Sequence, residues 1–437
     1  MSSHPNPQDP SEGESRAATP EAIRRRPERR RPVGQPWSSP VHASANSLPP
    51  SPRLGESWNT TVPAPLQTEP SITPGARLTL SSQRQVLARL LLIAGLITAF
   101  AMAWRHFAAI PLLVIGQPRV VGLLQRDQEE PFFRNLASST GLPLKITYVT
   151  TDAFGLKDTH QLDALRDGRI DIVSLRFMQN MAKEASLEGI DLPGRIPDFD
   201  KARQVVRAYS PTVDRYLQQA FGAKLLGIWS FGPQVMVCRH SIRRLTDIQG
   251  RKVRVASPGL AQLIRAVGGI PAILSFEDTQ AALAQGIVDC AVTSAASASY
   301  AGWTRHSQYY YPLAFQFGFN GYAISLKRWN SLSADERQRL TEAFQAFSEK
   351  LWTYSQNLQR ESEACITGED CRILPPQQLT RIEPSREDVQ LLQQLSRQVV
   401  LPQWSERCER QHPGCRREWE LKVAPITDSS GNEPRHP

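Results

Sequence analysis

From about Val120 onward, short apolar runs alternate with segments whose hydrophobic residues recur at helical spacing. Strand, helix, strand order of this kind predicts a parallel sheet with crossover helices, and hence an α/β protein. Ligands of such sheets bind beyond the carboxyl ends of the strands, where Ser174 and Arg176 lie. We predict strands at 120–124, 144–149, 171–175, 224–229, 234–238, 252–255, 270–274 and 288–292, and helices at 131–139, 160–166, 198–221, 259–268 and 278–286.

The first 82 residues have a different composition. They hold 15 of the 34 prolines and almost no long apolar runs, so they cannot bury enough surface to offset their chain entropy. We predict that residues 1–82 are disordered. The basic run at 24–31 has no interleaved aromatic residues for stacking on nucleic acid. It is more typical of a solvated tail before a membrane segment, and no nucleic-acid partner is predicted.

An apolar run at 90–104 follows this tail. Its 15 residues are few for a helix crossing roughly 30 Å of hydrocarbon, but they suit the core of a signal peptide. Arg84 and Arg89 precede the run, which favours export of everything after it. We predict that residues 83–110 form a signal peptide or an uncleaved N-terminal anchor. Because more than 80 residues precede the run, a true start downstream of Met1 is a further alternative.

Six cysteines all follow this segment, and an even number after an export signal indicates disulfides. Six cysteines allow 15 pairings, of which the spacing singles out Cys365 with Cys371 and Cys408 with Cys415. No CxxC repeat has histidines nearby, so no metal site is predicted. The cysteines are Cys238, Cys290, Cys365, Cys371, Cys408 and Cys415.

A long helix is predicted after Ser333, which forms a capping box with Glu336. The apolar residues from Leu340 to Leu358 recur at helical period. A helix of about 30 residues reaches roughly 45 Å, enough to span two small domains.

Motifs of hydrolases, metalloproteases, P-loop proteins and dinucleotide-binding enzymes are missing from the sequence. We therefore predict neither an enzyme nor a cofactor. The strand at 252–255 instead carries Arg254, which alternation places on the opposite side from Val253 and Val255. A guanidinium inside a sheet requires a partner, and its paired N–H groups match a carboxylate. That carboxylate can belong to a ligand or to an acidic residue of the protein.

Three stretches around Arg254 make the sequence recognisable. Residues 245–255 (LTDIQGRKVRV) resemble the "DLKGLKIRV" stretch of the DctP-type receptors of TRAP (tripartite ATP-independent periplasmic) transporters. Residues 281–289 (AALAQGIVD) resemble their "ALQTGVVDG" stretch, and 268–271 (GGIP) lie between, like their "GA-PV". Residues 329–340 look like the "W..LP...Q" opening of the family's long helix. The resemblance covers about 120–419.

The resemblance implies a two-domain periplasmic-binding-protein-like α/β fold that closes over a solute, with a long helix spanning both domains. The bilobal domain is expected at 111–425, followed by a loose tail at 426–437. Within it we expect lobe I at about 118–237, lobe II at about 238–325, the spanning helix at about 333–364 and a C-terminal segment at 365–425.

The resemblance also implies a periplasmic receptor that delivers a small solute to the membrane subunits of a TRAP permease. Arg254 would pair with a carboxylate of that solute, and Cys238 would bond to Cys290 because the family's strands at these positions are neighbours. A membrane-tethered sensory or scaffold protein on the same fold is the alternative.

Departures from the family pattern concern the ligand. Pro233 stands near the position where a second ligand-binding arginine is expected, and Cys290 replaces the family's glycine. A family polar residue falls near Thr293. These departures leave the expectation of a carboxylate ligand in place, but argue against a sialic-acid-like or a C4-dicarboxylate ligand. The residues expected to line the cleft beside Arg254 are Arg176, Trp229, Gln234 and Thr293.

Overall fold

The computed structural model describes residues 80–107 and 109–428. The strands are β1 Ile110–Gly116, β2 Leu144–Thr150, β3 Ile172–Arg176, β4 Ala223–Ser230, β5 Gln234–Cys238, β6 Lys252–Val255, β7 Ile270–Ile273, β8 Cys290–Thr293, β9 Tyr309–Gln316, β10 Phe319–Ser325 and β11 Thr380–Arg381. The helices are α1 Leu80–Phe107, α2 Glu130–Thr140, α3 Thr151–Phe154, α4 Gln161–Arg166, α5 Phe177–Asn180, α6 Ser186–Gly189, α7 Phe199–Phe221, α8 Pro258–Ala266, α9 Thr279–Ala284, α10 Ala295–Tyr300, α11 Leu326–Ser331, α12 Ala334–Thr367, α13 Arg386–Leu395, α14 Leu401–Gln411, α15 Cys415–Lys422 and α16 Ala424–Asp428.

Two mixed sheets form the cores of two lobes. The first is five-stranded, in the order β2-β1-β3-β10-β4, and the second is six-stranded, in the order β11-β9-β5-β8-β6-β7. β1, β2 and β3 run parallel, as do β6, β7 and β8, which confirms the α/β class. In each sheet the parallel strands are joined to antiparallel strands that carry the chain between the lobes.

The start of the first lobe differs from the prediction. Residues 120–124 are not a strand: Arg119–Val121 is a 3₁₀ turn, and Gln125–Glu129 is a π-helical turn that leads into α2. Gly122 separates the two turns with a positive φ of 71°. A short apolar run does not distinguish a strand from a buried helical turn by periodicity alone. The first strand is instead β1, which we did not predict.

The chain crosses between the lobes twice at adjacent positions. It leaves the first sheet after β4 through Phe231, Gly232 and Pro233, and returns between β9 and β10 through Phe317 and Gly318. Both expected lobe bounds are therefore wrong by one strand: β5 lies in the second sheet although lobe I was expected to extend to 237, and β10 lies in the first sheet although lobe II was expected to extend to 325. β10 pairs with β3 and β4 of the first sheet, because the chain turns back at residue 318 rather than after 325.

α12 spans the two lobes, as expected. Its capping box is present: the backbone N–H of Ser333 donates to Glu336 at 2.6 Å, and the backbone N–H of Glu336 donates to the Ser333 hydroxyl at 3.2 Å. In the middle of the helix, Trp352 Nε1 donates to a β4 carbonyl at 3.0 Å. Near its end, Glu363 accepts from the β9 hydroxyl of Tyr310 at 2.9 Å. One helix thus makes hydrogen bonds to both sheets.

All three expected disulfides are present: Cys238–Cys290, Cys365–Cys371 and Cys408–Cys415. Cys238 and Cys290 are direct neighbours on the antiparallel strands β5 and β8. The Cys408–Cys415 bond connects α14 to α15, whose indoles of Trp404 and Trp419 are fully buried.

The N-terminal helix α1 includes the segment proposed for export. The apolar side chains that the structure describes on it are exposed: Val86, Leu87, Leu90, Leu91, Leu92, Ile93, Leu96 and Ile97. Among the described residues, no helix combines the length and apolar character needed to cross a membrane. The prediction of a disordered tail at 1–82 lies outside the described residues except for its last three positions. Of the expected loose tail at 426–437, residues 426–428 belong to α16.

Candidate functional site

A cavity lies between the lobes, beyond the carboxyl ends of β3, β6 and β8. Four of the five predicted residues line it: Arg176, Gln234, Arg254 and Thr293. The cavity has a volume of about 30 Å³, which is room for about two water molecules. A larger solute therefore requires the lobes or the lining side chains to move.

Arg254 is 2% exposed and lies on the lobe II wall. Its Nε donates to the Leu274 carbonyl at 3.2 Å, and its Nη1 donates to the Val292 carbonyl at 3.1 Å. The guanidinium lies 5.1 Å from the ring centroid of Trp303. Among the described residues, no carboxylate forms an ion pair with Arg254, and Nη2 has no hydrogen-bond partner. Burial and the nearby Arg176 lower the pKa of Arg254 to about 9, an effect that Glu277 opposes, so the guanidinium is charged at neutral pH.

Arg176 is equally buried on the lobe I wall, but its charge is compensated. Its Nη1 donates to Asp158 at 2.5 Å and lies 3.9 Å from Glu277. The guanidinium also lies 5.6 Å from the ring centroid of Phe276. Burial raises the pKa of Asp158, an effect that the neighbouring Arg176 opposes. Asp158 belongs to lobe I, whereas Phe276 and Glu277 follow β7 of lobe II, so Arg176 connects the two walls.

The other predicted residues have different surroundings. Gln234 begins β5 at the crossing, and its Nε2 donates to the Gly232 carbonyl at 2.9 Å. Thr293 ends β8, beside the Val292 carbonyl that binds Arg254. The prediction for Trp229 is wrong, because this residue does not line the cavity. It is fully buried within β4 and packs edge-on against Phe231, with ring centroids 4.7 Å apart. Phe231 occupies that place because the chain leaves the sheet there.

Asn320 and Phe276 are lining residues that the sequence analysis missed. Asn320 lies opposite Arg176 on β10, is 3% exposed, and its Nδ2 has no hydrogen-bond partner among the described residues. Such an unpartnered donor, on a residue that lines a cavity, can be satisfied by a ligand acceptor. Phe276 could have been found by the carboxyl-end rule that singled out Arg176, because it follows the carboxyl end of β7. Asn320 could not, because β10 was not predicted.

Ser174, which the sequence also placed near a ligand, belongs to a buried network of the first lobe. Its hydroxyl donates to Glu129 at 2.9 Å and accepts from Gln117 Nε2 at 2.7 Å. Glu129 also accepts from the hydroxyls of Tyr148 and Tyr322, each at 3.0 Å. Burial raises the pKa of Glu129, and these hydrogen bonds oppose that change. The network joins β2, β3 and β10 behind the cavity.

The return crossing is held by Asp191, which is fully buried. Its carboxylate accepts from the backbone N–H of Phe317 at 2.7 Å and of Gly318 at 2.9 Å. Burial raises the pKa of Asp191 from 3.8 to about 7, against the effect of these hydrogen bonds. Gln316 is fixed beside it by Ser257, whose hydroxyl donates at 2.7 Å. This side of the crossing is thus anchored to the loop after α6.

Within 80–107 and 109–428, no group of three or more histidine, cysteine, aspartate or glutamate residues is arranged to hold a metal ion. The chemistry of the cavity is that of two guanidinium groups, neutral amide and hydroxyl groups, and aromatic rings.

Comparison with known proteins places this geometry in a family. The model of the DctP family, described as bacterial extracellular solute-binding protein, family 7, matches residues 151–392, more than half of the chain. The C4-dicarboxylate-binding periplasmic protein DctP of Rhodobacter capsulatus is 25% identical over 195 residues, which cover 43% of this chain and 57% of that protein. The match thus spans little more than half of that relative.

Solved structures share the fold over most of the described chain. DctP7 of Bordetella pertussis, an extracytoplasmic solute receptor binding pyroglutamic acid, has a TM-score of 0.61 and 17% identity, covering 72% of this chain and 99% of its own. A TRAP periplasmic solute-binding protein from Rhodoferax ferrireducens with bound malonate has a TM-score of 0.63 and 15% identity, with 72% and 98% covered. One from Desulfovibrio salexigens with bound orotic acid has a TM-score of 0.65 and 14% identity, with 72% and 99% covered. The chain belongs to the DctP family, family 7 of the bacterial extracellular solute-binding proteins.

Proposed function

We propose that the protein is an extracytoplasmic receptor that binds a small organic acid between its lobes and delivers it to a TRAP-type permease. The observation that carries the proposal is Arg254: a buried guanidinium at a cavity, with no acidic partner among the described residues. Burying an unpaired charge is costly, and a carboxylate that accepts from Nη2 would offset that cost. Relatives bind pyroglutamic acid, malonate and orotic acid, all of which carry carboxyl groups.

Binding requires the lobes to separate and close again. The cavity is smaller than an organic acid, and two contacts of Arg176, with Phe276 and with Glu277, join the walls. We propose that the lobes rotate about residues 231–233 and 317–318, where the chain passes between the two sheets. We expect solute entry through this movement, followed by closure of Arg176 and Asn320 over the bound acid.

The test is a thermal-shift screen of the full chain against organic acids and matched neutral solutes. A ligand at 100 times its Kd adds about 2.7 kcal/mol to the free energy of unfolding. At least one carboxylate should raise the melting temperature, and Arg254→Ala should remove the shift. If only neutral solutes stabilise the protein, Arg254 does not have the proposed role. Recovery of the acid unchanged after prolonged incubation is expected of a receptor, whereas turnover would indicate an enzyme.

Export by the segment at 83–110 is part of the proposal, in keeping with the extracellular family. Family membership also favours the receptor over a tethered sensory or scaffold protein. Mass spectrometry of the N-terminus of the exported protein distinguishes the alternatives. A start within 102–104 indicates a cleaved signal peptide, whereas retention of residues before 90 indicates an anchor.

A further inference from the structure

The two arginines of the cavity differ in charge compensation, and from this we infer that the site selects monocarboxylates and discriminates against dicarboxylates. The inference rests on the proposed function, since it specifies which organic acids the same site accepts. The fold alone does not determine whether the site prefers monocarboxylates or dicarboxylates. Relatives of similar structure bind orotic acid, which has one carboxyl group, and malonate, which has two.

The positive charge of Arg176 is already compensated by acidic residues of the protein. Asp158 lies 2.5 Å from Nη1, and its side chain is 16% exposed, so little solvent screens the pair. Glu277 lies 3.9 Å from the same atom on the other wall. A ligand carboxylate placed against Arg176 would therefore also approach two protein carboxylates, and like charges in one buried site disfavour each other.

Arg254 provides the remaining positive charge. Its direct contacts are two carbonyl oxygens and the face of Trp303, all of which are uncharged. Glu277 acts on it electrostatically, but among the described residues no carboxylate forms an ion pair with it. Among the described residues that line the cavity, Arg176 and Arg254 are the only ones with a formal charge. One ligand carboxylate paired with Arg254 thus leaves no uncompensated cation for a second.

The rest of the cavity suits neutral polar groups. Asn320 offers an unpartnered Nδ2 donor, Thr293 a hydroxyl and Gln234 an amide, while Phe276 provides an aromatic face. An amide or carbonyl oxygen of the ligand can accept from Asn320 without adding charge. The site is therefore complementary to an acid with one carboxylate and a neutral acceptor at its other end.

The experiment compares diacids with their monoamides, which have nearly the same shape and one charge fewer. The probes are malonate with malonamate, succinate with succinamate, and glutarate with glutaramate, together with pyroglutamate. Calorimetry on the full chain at about pH 7.5, where both carboxyl groups are ionised, gives each Kd. We expect pyroglutamate or a monoamide to bind most tightly, and the monoamides that bind to do so at least tenfold more tightly than their diacids.

Two variants test the cause of the selectivity. Asp158→Asn frees the charge of Arg176 without changing the shape of the side chain, and should reduce the monoamide preference at least tenfold. Glu277→Gln should act in the same direction with a smaller effect. Its side chain is 47% exposed, so this variant keeps the fold if Asp158→Asn does not. Asp163→Asn is the matched control: it removes a carboxylate of α4 that pairs with Lys183 and not with Arg176. It should leave the preference unchanged.

The inference can fail in two ways, and the experiments distinguish them. A diacid that binds within tenfold of its monoamide or more tightly, or a preference unaffected by both variants, refutes the charge argument and leaves the receptor for organic acids intact. If no acid in the broader screen binds, the proposed function fails and the monocarboxylate inference fails with it.

Discussion

Two arginines face the same cavity from opposite lobes and are buried to a similar degree, yet their surroundings differ. Arg176 of lobe I is 5% exposed and forms an ion pair with Asp158, whereas Arg254 of lobe II is 2% exposed and bonds only to carbonyl groups. Burial alone therefore does not identify a ligand anchor. Compensation of the charge does, since a guanidinium without an acid can gain a partner from a ligand.

The comparison also separates two roles that the sequence analysis gave to one set of residues. Arg176 connects the walls through Asp158, Phe276 and Glu277, so its main contribution is to the closed arrangement of the protein. Arg254 has one nitrogen, Nη2, with no hydrogen-bond partner among the described residues, and the proposed function gives it a role in binding. The following predictions test this division, from the largest expected effect to the smallest.

Arg176→Met should lower the free energy of unfolding by about 3–5 kcal/mol, because it leaves Asp158 buried without its cation. The double variant Arg176→Met, Asp158→Leu should recover most of this loss, since neither charge then remains. Chemical denaturation with circular dichroism measures both. A loss below about 1 kcal/mol in the single variant would show that the pair contributes little to the stability of the folded protein.

Arg254→Met should weaken binding of a monocarboxylate at least about 100-fold, or about 2.7 kcal/mol. The loss of stability should be smaller than for Arg176→Met, because no acid is left unpaired. Arg254→Lys should fall between wild type and Arg254→Met, since it keeps the charge but not the two parallel N–H groups. Equal affinity in wild type and Arg254→Met would contradict the division of roles.

Asp191 is the anionic counterpart of Arg254, since backbone groups hold its buried charge, and it should make stability depend on pH. Its pKa is raised from 3.8 to about 7, so between these values the folded state holds a proton that the unfolded state has lost. The stabilisation is complete below about pH 4 and is lost as pH rises to about 7, with a slope of up to about 1.4 kcal/mol per pH unit.

Denaturation of wild type and Asp191→Asn across this pH range isolates that contribution, because the other groups titrate alike in both. The two proteins can differ in stability at any one pH, but the free energy of unfolding of wild type should fall relative to that of Asp191→Asn as pH rises. Parallel curves would show that Asp191 does not titrate in this window.

Asn320→Leu should change the free energy of unfolding by no more than about 1 kcal/mol, and in the stabilising direction, because it removes a buried donor without a partner. Affinity for a monocarboxylate should fall about tenfold, or about 1.4 kcal/mol. Trp229→Phe is the control, since it also removes an unpartnered buried N–H, but one that does not line the cavity. An unchanged affinity in Asn320→Leu would exclude this residue from the site.

Local patterns predicted much of the fold. β5 and β6 begin and end where alternation placed them, and the capping box at Ser333 opens α12 as expected. The disulfides Cys365–Cys371 and Cys408–Cys415 followed from spacing, and Cys238–Cys290 from the family resemblance. These features depend on residues close in sequence or on a recognised motif.

Long-range pairing was not predicted. β10 was missed because its partner strands, β3 and β4, are distant in sequence. Gly318, which has a positive φ of 60°, breaks the apolar run there but does not by itself indicate a change of sheet. The same gap concealed Asn320 and misplaced Trp229 at the cavity. The partner of Arg176 was also missed, since Asp158 lies in a separate 3₁₀ turn 18 positions earlier.

The sequence by itself determined that an α/β receptor follows the apolar run, and that Arg254 lies in a strand where a carboxylate would be its natural partner. The tertiary structure alone decided which arginine retains an uncompensated charge. Charge compensation is a property of atoms a few ångströms apart in space, and those atoms come from elements that the sequence does not place together. The chain specified two guanidinium groups, and only the packing of the lobes paired one of them with an acid and left the other, among the described residues, without one.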